Sequence, residues 1–352
     1  MSALKNQITF HMKNCNITKI LMAAAVPILF SCSTDDFSAI EKESGNHTPQ
    51  QVTDGNNWDE SYHPFAKTRS MNESYEFVPV ILKNVYTGML LKGEELNNGK
   101  MVPIIEKVDP LQLVFTVPSF YIGTLPVPSF SSYMKEFKKA LNDEDFSGQQ
   151  IEEFEYDLKQ FSKYSEMKLA FGANVNIASI MKFESSAESN QIRHKTGLFA
   201  RVCQKNFDGI IDYPEDGNIF SNNDKIKDYP NAVYVNSITY GRMAIISIES
   251  DTTYTALKTA FKAALNAKMV NGEVSMDASS EQTLQKAEIH IWIRGGKGAD
   301  AVATATGFNE FTKFIVNGGT FTKDVPGQPI YCTVNRVDDN SAFSLNFDTD
   351  KK

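Results

Sequence analysis

The sequence predicts an α+β fold in which strands and helices are mixed along the chain. Strand-like segments lie at 77–82, 171–211, 233–248, 289–293 and 330–347. Amphipathic segments with helical spacing lie at 131–141, 151–161, 255–268 and 308–317. The two kinds of segment lack the regular strand–helix alternation of a parallel α/β sheet, and no fixed-period repeat is present. Together these three observations favour the α+β class.

The composition is typical of a folded protein and argues against a nucleic-acid partner. The 352 residues are 41% apolar and 22% charged, which is ordinary for a globular chain. The 35 basic and 43 acidic residues give a formal charge of −8. Because nucleic-acid-binding surfaces need an excess of clustered Lys and Arg, we expect no nucleic-acid partner. No run of about 18 apolar residues appears, so no transmembrane helix is predicted.

Residues 1–31 have the pattern of a signal peptide. They carry three Lys and no acidic residue, and an apolar run at 20–30 follows the basic flank. That run is too short to span a bilayer. It ends in Leu29-Phe30-Ser31-Cys32, which resembles the site at which bacterial lipoproteins are cleaved and lipidated. We therefore predict a lipid anchor at Cys32, with an ordinary secretory signal as the alternative.

Residues 32–70 are predicted to form a flexible tether between the lipid and the folded region at 71–352. They are rich in Asp, Glu, Ser, Asn, Thr and Gln and show little periodicity. The acidic residues after Cys32 resemble the motif that sends some lipoproteins to the outer surface of Gram-negative cells. The expected location is therefore outside the cell, on the outer membrane or cell surface of a Gram-negative bacterium.

The first part of the folded region is predicted to contain a short strand, a turn, extended segments and two helices. The strand at 77–82 is followed by a turn at 86–88, and proline-rich extended segments occupy 103–128. Ser131 is placed as the cap of the first helix. The two helices rest on residues that recur at helical spacing: Met134, Phe137, Lys138 and Leu141 in the first, and Ile151, Phe154, Leu158 and Phe161 in the second.

No catalytic, cofactor or metal site is predicted. Residues 296–301 match the glycine pattern G-x-G-x-x-A, but strand-like residues follow where a dinucleotide site needs a helix. His194 and His290 each stand alone in the sequence, which argues against a metal site. The protein is therefore not expected to be an enzyme. Cys203 and Cys332 could pair as a disulfide, but buried free thiols are favoured.

Residues 255–278 have the pattern of a helix and also that of a β-hairpin. At helical spacing, Leu257, Phe261 and Leu265 form one apolar stripe, and interspersed alanines favour helix. At period two the apolar residues share one face, and Asn271-Gly272 supplies a hairpin turn. The arms approach the ~9–11 residues of a membrane strand. The residues predicted to face lipid are Leu257, Phe261, Ala263, Leu265, Met269, Val274 and Met276.

Residues 171–183 show a similar alternation. A polar stretch at 184–191 follows and is the expected turn, and alternation resumes from Ile192. The alternative for each segment is half of a soluble amphipathic sheet. Two such segments flanking one core sheet favour a protein that inserts β-hairpins into a membrane. In the first hairpin the predicted lipid-facing residues are Phe171, Val175, Ile177, Met181 and Phe183.

At these residues the chain resembles the cholesterol-dependent cytolysins, also called thiol-activated cytolysins. The matching motifs are VYVNSITYGR at 233–242, AFKAA at 260–264, a glycine pair after a strand at 295–296 and FTKDVPGQP at 321–329. The first of these ends in the triplet Tyr240-Gly241-Arg242. The similarity covers about residues 75–348 and is strongest after residue 230.

The resemblance implies an elongated monomer with a bent antiparallel core sheet flanked by helical bundles. Such monomers form rings on a target membrane, where two bundles extend into hairpins, here about 171–197 and 255–278. Gly295 and Gly296 would form the hinge, since glycine adopts such bends without Cβ strain. Domains 1–3 of the family would be interleaved in 71–352, with the hairpin domain at about 160–200 and 255–320.

The family's terminal cholesterol-binding domain is not matched, and the chain ends at Lys352, about where that domain would begin. We therefore expect a pore-forming toxin homologue for which cholesterol binding is not carried over. The expected partners are target membrane lipid and either copies of the chain in a homo-oligomeric ring or a longer homologue. The alternative is a non-lytic surface lipoprotein that acts as an interaction module or partner subunit.

Overall fold

The computed structural model describes parts of the chain that all lie within Thr48–Lys352. The described residues are 52–54, 73–74, 76–79, 84–117, 120–146, 149–150, 154–183, 190–214, 217–270, 273–295, 302–316 and 320–346. The predicted signal peptide, the predicted lipid anchor at Cys32 and the predicted hinge residue Gly296 lie outside them.

Seventeen strands and seven α-helices lie within the described residues. The strands are β1 Val52–Asp54, β2 Glu73–Ser74, β3 Glu76–Phe77, β4 Leu90–Lys92, β5 Leu111–Phe115, β6 Tyr121–Leu125, β7 Gln149–Gln150, β8 Phe154–Phe161, β9 Thr196–Ile211, β10 Ala232–Ser250, β11 Lys268–Val270, β12 Glu273–Ser275, β13 Glu288–Arg294, β14 Val302–Thr306, β15 Thr320–Phe321, β16 Gln328–Arg336 and β17 Leu345–Asn346. The helices are α1 Gly93–Asn97, α2 Phe130–Leu141, α3 Lys168–Phe171, α4 Ile177–Met181, α5 Tyr254–Leu265, α6 Ala278–Gln285 and α7 Phe308–Val316.

The main sheet has the order β1-β8-β9-β10-β13-β14, and all neighbours along it are antiparallel except the short pair β1–β8. The central strand β10 changes its partner along its length. Residues 232–241 pair with β4 and β16, whereas residues 243–249 pair with β13. The change coincides with a register irregularity between Tyr240 and Gly241, of the kind that bends a strand.

Strands β8, β9, β10 and β13 form the core sheet, and two long connections leave it at the same end. Phe161, Gly197, Glu249 and Glu288 are successive register partners across these four strands. The connection from β8 to β9, residues 162–195, is called segment 1. The connection from β10 to β13, residues 251–287, is called segment 2. Each segment therefore joins two neighbouring antiparallel strands.

The two segments cover opposite faces of the core sheet. Successive residues of a strand point to opposite faces, and alternate residues of the core strands pack against segment 1 and segment 2. On the segment-2 face the sheet presents a continuous aliphatic surface that includes Leu198, Ala244, Ile246, Ile248 and Ile291. The segment-1 face is mixed. It carries the apolar residues Phe199, Met243, Ile245 and Trp292, together with the buried polar residues Asp157, Arg201, Ser247 and Glu249.

Three of the predicted local features are wrong. In the strand-like region at 171–211, residues 177–181 form helix α4 and strand β9 begins only at Thr196. The segment at 151–161 is not a helix, because residues 154–161 form β8. Tyr156 and Leu158 are buried on the segment-2 face and Phe161 on the segment-1 face, so the apolar residues of β8 do not alternate. The cap of α2 is Ser129 and not Ser131, since the Ser129 hydroxyl accepts from the Ser132 N–H at 3.2 Å.

The predicted α+β class and the remaining major elements are confirmed. Helices α2, α5 and α7 and strands β9, β10, β13 and β16 occupy the predicted regions. Residues 302–306 form strand β14, which agrees with the exclusion of a dinucleotide site. Cys203 and Cys332 are both free and buried, on β9 and β16. Among the described residues, no helix is both long and apolar enough to cross a membrane.

Candidate functional site

Segment 1 folds as short helices that bury the residues predicted to face lipid. Gly172, with φ +59°, ends α3, and the Asn176 side chain caps α4 by accepting from the Ser179 N–H at 3.0 Å. The predicted lipid-facing side chains lie in or against one cluster with the segment-1 face of the sheet. Its members from segment 1 include Phe171, Val175, Ile177 and Met181, with Phe183 partly buried beside them.

Segment 2 places α5 across the segment-2 face. Thr253 caps α5 by accepting from the Ala256 N–H at 3.3 Å. The predicted apolar stripe, with Leu257, Phe261 and Leu265, is fully buried, whereas Ala263 is half-buried beside it. After the helix, β11 and β12 pair with Val270 opposite Glu273. This register brackets residues 271–272, which lie outside the described residues.

The remaining residues predicted for the second hairpin follow α5. Met269 and Val274 lie on β11 and β12 and are register partners. Met276 packs, partly buried, against the same cluster as α5. In the folded chain, the residues of the first set and those of the second set on α5, with Met276, therefore pack against opposite faces of one sheet.

The triplet Tyr240-Gly241-Arg242 lies where β10 changes its partner, and each residue has a distinct contact. The Tyr240 ring stacks on Phe207 with 4.9 Å between centroids. A Cβ at Gly241 would lie 2.0 Å from the Gln204 carbonyl oxygen, so the close approach of β9 and β10 requires glycine. Arg242 is buried and donates to the Phe314 carbonyl oxygen, with its guanidinium 4.3 Å from the centre of the Phe314 ring.

Arg242 therefore ties the bend of β10 to the last turn of α7. Burial lowers the pKa of Arg242 to about 10, and the guanidinium stays charged at neutral pH. A cation near a helix C-terminus interacts favourably with the unpaired carbonyls there. The triplet thus has a structural role in joining the core sheet to the element that follows β14.

Gly295 ends β13 in a conformation that requires glycine on two counts. Its φ is +92°, which disfavours any residue with a Cβ. A Cβ at this position would also lie 2.5 Å from the Gly241 carbonyl oxygen and 2.6 Å from the Arg242 Cα. The predicted hinge position therefore contacts the triplet of β10 directly, while Gly296 lies outside the described residues.

A polar cluster at the end of the core sheet was not predicted from the sequence. Glu249 and Glu288 are opposite each other in the last rung of β10 and β13. His194 and His290, which stand alone in the sequence, both approach Glu288, with Nε2–carboxylate distances of 3.6 and 2.9 Å. The hydrogen bond from His290 and the charges of Arg193 and His194 lower the pKa of Glu288. Among the described residues, no His, Cys, Asp and Glu side chains are grouped so as to hold a metal ion.

The only sequence signal for this cluster was the acidic residue near the end of a long apolar strand. Glu249 follows a run of aliphatic residues in β10 and is 1% exposed. A charged residue in such a position must find partners, but they lie 55 to 85 residues away in the sequence. The strand order was needed to identify them.

Parts of the chain are similar to known proteins in sequence, and a larger part is similar in fold. The model of the family described as thiol-activated cytolysin matches residues 220–351. Listeriolysin O of Listeria monocytogenes serotype 4a (strain HCC23) is 32% identical over 108 residues, which are 30% of this chain and 20% of listeriolysin O. Tetanolysin of Clostridium tetani is 29% identical over 118 residues, or 33% of this chain and 22% of tetanolysin.

The solved structures extend the likeness over more of the chain. Suilysin from Streptococcus suis has a TM-score of 0.62 at 22% identity and matches over 78% of this chain and 62% of suilysin. A non-hemolytic pneumolysin from Streptococcus pneumoniae strain ST306 has a TM-score of 0.63 at 17% identity, with the same coverage of 78% and 62%. The chain thus spans about a fifth of these sequence relatives and less than two thirds of these structures. Residues 220–351 are thus similar to the thiol-activated cytolysin family, and the chain has the α+β fold of these cytolysin structures.

Proposed function

We propose that the chain is a pore-forming toxin homologue whose segments 1 and 2 extend into β-hairpins that enter a target membrane. One observation carries this proposal. Each segment joins two neighbouring antiparallel strands, and both leave the core sheet from the same row of register partners. A segment that straightens can therefore prolong the two strands that it already connects, without any change in strand order.

The lengths of the two segments support a common depth of insertion. If β8 and β9 continue in register, the turn of segment 1 falls at Ser179, about 18 residues beyond the end row. If β10 and β13 continue, the turn of segment 2 falls at residues 268–269, about 19 residues beyond that row. At ~3.3 Å per residue both hairpins would reach about 60 Å. The ~9–11 residues that cross a bilayer fit within each arm.

The same continuation gives a consistent lipid-facing side. Odd-numbered residues of β8 and β10 and even-numbered residues of β13 share the face of Phe161, Glu249 and Glu288. Except for Met269, which lies at the proposed turn itself, all the lipid-facing residues predicted for the two hairpins fall on that face. They are Phe171, Val175, Ile177, Met181 and Phe183 in segment 1, and Leu257, Phe261, Ala263, Leu265, Val274 and Met276 in segment 2.

Continuing these registers would change both expected turns. The first would move from the polar stretch at 184–191 to Ser179, because Phe161 pairs with Gly197. The second would move from Asn271-Gly272 to residues 268–269, because Glu249 pairs with Glu288. Ile192 then falls on the opposite face from Phe171. The apolar residues of segment 1 are therefore grouped around the tip of the hairpin, and its returning arm is largely polar.

The location and the partners belong to the same proposal. We propose that the protein is secreted and anchored through Cys32 to the outer membrane or cell surface of a Gram-negative bacterium. Its partners would be membrane lipid and either further copies of the chain or a longer homologue. Replacing Cys32 with Ala should abolish incorporation of labelled palmitate in the native host, and unchanged labelling would exclude the anchor.

Dye release from liposomes tests the pore-forming function. The full chain is added to phosphatidylcholine vesicles with and without cholesterol, alone and together with a full-length cytolysin. Release, accompanied by rings in negative-stain electron microscopy, is the expected result. A fold neighbour is itself named as non-hemolytic, so the fold alone does not decide the activity. No release under any of these conditions would favour the non-lytic surface lipoprotein.

A further inference from the structure

Glu249 is a buried carboxylate at the end of the core sheet, and its hydrogen bonds reach segment 1. One carboxylate oxygen accepts from the Tyr164 hydroxyl. The other accepts from the backbone N–H groups of Arg193 at 2.7 Å and His194 at 3.3 Å. Three donors thus compensate the burial of the charge, which is otherwise costly.

The three donors come from the two ends of segment 1. Tyr164 follows the last residue of β8 closely, and Arg193 and His194 lie just before the first residue of β9. Glu249 itself belongs to β10. One side chain of the sheet therefore holds both ends of segment 1 folded back over the segment-1 face.

An extended segment 1 would remove all three of these hydrogen bonds. Tyr164 would continue β8 and the other two residues would continue β9, so their backbone groups would pair in the strand ladder. Glu249 would stay opposite Glu288, and like charges directly opposite each other in a sheet are destabilising. In the folded chain the two carboxylates are also opposite each other, but there two residues of segment 1, His194 and Arg193, lie 3.6 and 4.0 Å from the Glu288 carboxylate. Glu249 thus favours the folded arrangement of segment 1 through both effects.

We propose that Glu249 is a positioning residue that holds segment 1 on the sheet and sets how readily the segment leaves it. This rests on the proposed function, in which segment 1 extends. The role differs from a general contribution to stability, because the contacts that are lost all lie at the two ends of one segment.

Hydrogen exchange of the full chain in solution tests this proposal without requiring pore formation. Glu249→Gln should raise amide exchange at residues 164–183 about tenfold or more, because a hydrogen bond to a charged group typically has at least that effect. Exchange at residues 198–204 of β9 should stay unchanged. Tyr164→Phe, which removes one donor and keeps the ring, should act in the same direction and less strongly. Ile246→Ala on the opposite face of β10 is the matched control and should instead raise exchange in α5.

Two results would overturn the role of Glu249. One is wild-type exchange at residues 164–183 in Glu249→Gln, and the other is an equal rise at residues 198–204. If Glu249→Gln does not fold, wild-type exchange at 164–183 in Tyr164→Phe decides against the proposal in the same way. Dye release separates this proposal from the proposed function. Selective exchange without release from any vesicle supports Glu249 and rejects pore formation, whereas release with unchanged exchange rejects Glu249 alone.

Discussion

Ala263→Lys distinguishes the folded position of α5 from its proposed position in a membrane hairpin. Ala263 is half-buried on α5, beside the buried stripe of Leu257, Phe261 and Leu265. A substitution at such a position changes the stability of the folded chain by about 0.5 kcal/mol or less. The expected shift in Tm is therefore within about 2 °C.

The cost in the membrane is much larger. In the proposed hairpin the tip lies at residues 268–269, so a span of ~9–11 residues counted back from the tip is centred near Ala263. A Lys on the lipid face at this depth costs about 2–4 kcal/mol in every subunit. That cost corresponds to about a 30-fold or greater loss in the insertion equilibrium for each subunit.

The assay compares dye release by the wild type, Ala263→Lys and the matched control Ala256→Lys. Ala256 is also half-buried on α5 and controls for an added charge on the folded helix. In the proposed hairpin it lies just outside the span and on the opposite face, the face that also carries the native Lys262. We expect Ala263→Lys to abolish release and Ala256→Lys to retain it, with all three proteins melting within a few degrees of one another. Full release by Ala263→Lys would show that this segment does not cross the bilayer in the proposed register.

Three further predictions concern stability and reactivity. Gly295→Ala should lower the free energy of unfolding, measured by urea titration, by at least about 2 kcal/mol more than Gly307→Ala does. Both glycines have φ near +90°, but only a Cβ at Gly295 meets backbone atoms. Equal losses in the two variants would contradict the crowding at Gly295. Burial raises the pKa of the Cys203 and Cys332 thiols to about 12, so both should resist iodoacetamide at pH 8 in the native chain and react after denaturation, as peptide mass mapping would show. The pKa of Glu288 is lowered on folding, so its stabilising contribution is present above its ordinary pKa of 4.5 and is lost as the pH falls below 4.5 through the lowered pKa of the folded state. Glu288→Gln should therefore lose less Tm than the wild type between pH 7 and pH 3, and an identical loss would show that this carboxylate does not contribute.

Local signals in the sequence predicted local structure well. Helix α5 combines a single apolar stripe with several alanines, and these signals act within one turn of helix. Strand β8 was mistaken for a helix because it is buried on both faces, which removes the period-two pattern that identifies a strand. The residues of a buried strand can then match helical spacing, as Phe154, Leu158 and Phe161 do.

The contacts of the site depend on the order of the strands in the sheet, and this order could not be predicted from the sequence. Tyr164, Arg193 and Glu249 are far apart along the chain and meet only because β8, β9 and β10 are neighbours that end in one row. His194 and His290 stand alone in the sequence for the same reason, although both lie near Glu288 in the structure. The triplet at 240–242 was identified from the sequence. Its position at the bend of β10 and the contact of Arg242 with α7 are seen only in the structure.

The unequal faces of the core sheet have a consequence for the solubility of partly opened chains. Departure of segment 1 would expose a face that includes Asp157, Arg201 and Glu249, which water can solvate. Departure of segment 2 would expose a continuous aliphatic sheet surface, including Ile246, Ile248 and Ile291, of the kind that drives aggregation. A chain that lost segment 2 to proteolysis or truncation is therefore expected to precipitate, whereas a cut within segment 1 leaves a surface that is compatible with solution. The aliphatic face needs a permanent cover, and any assembly that removes α5 must replace it with another apolar surface.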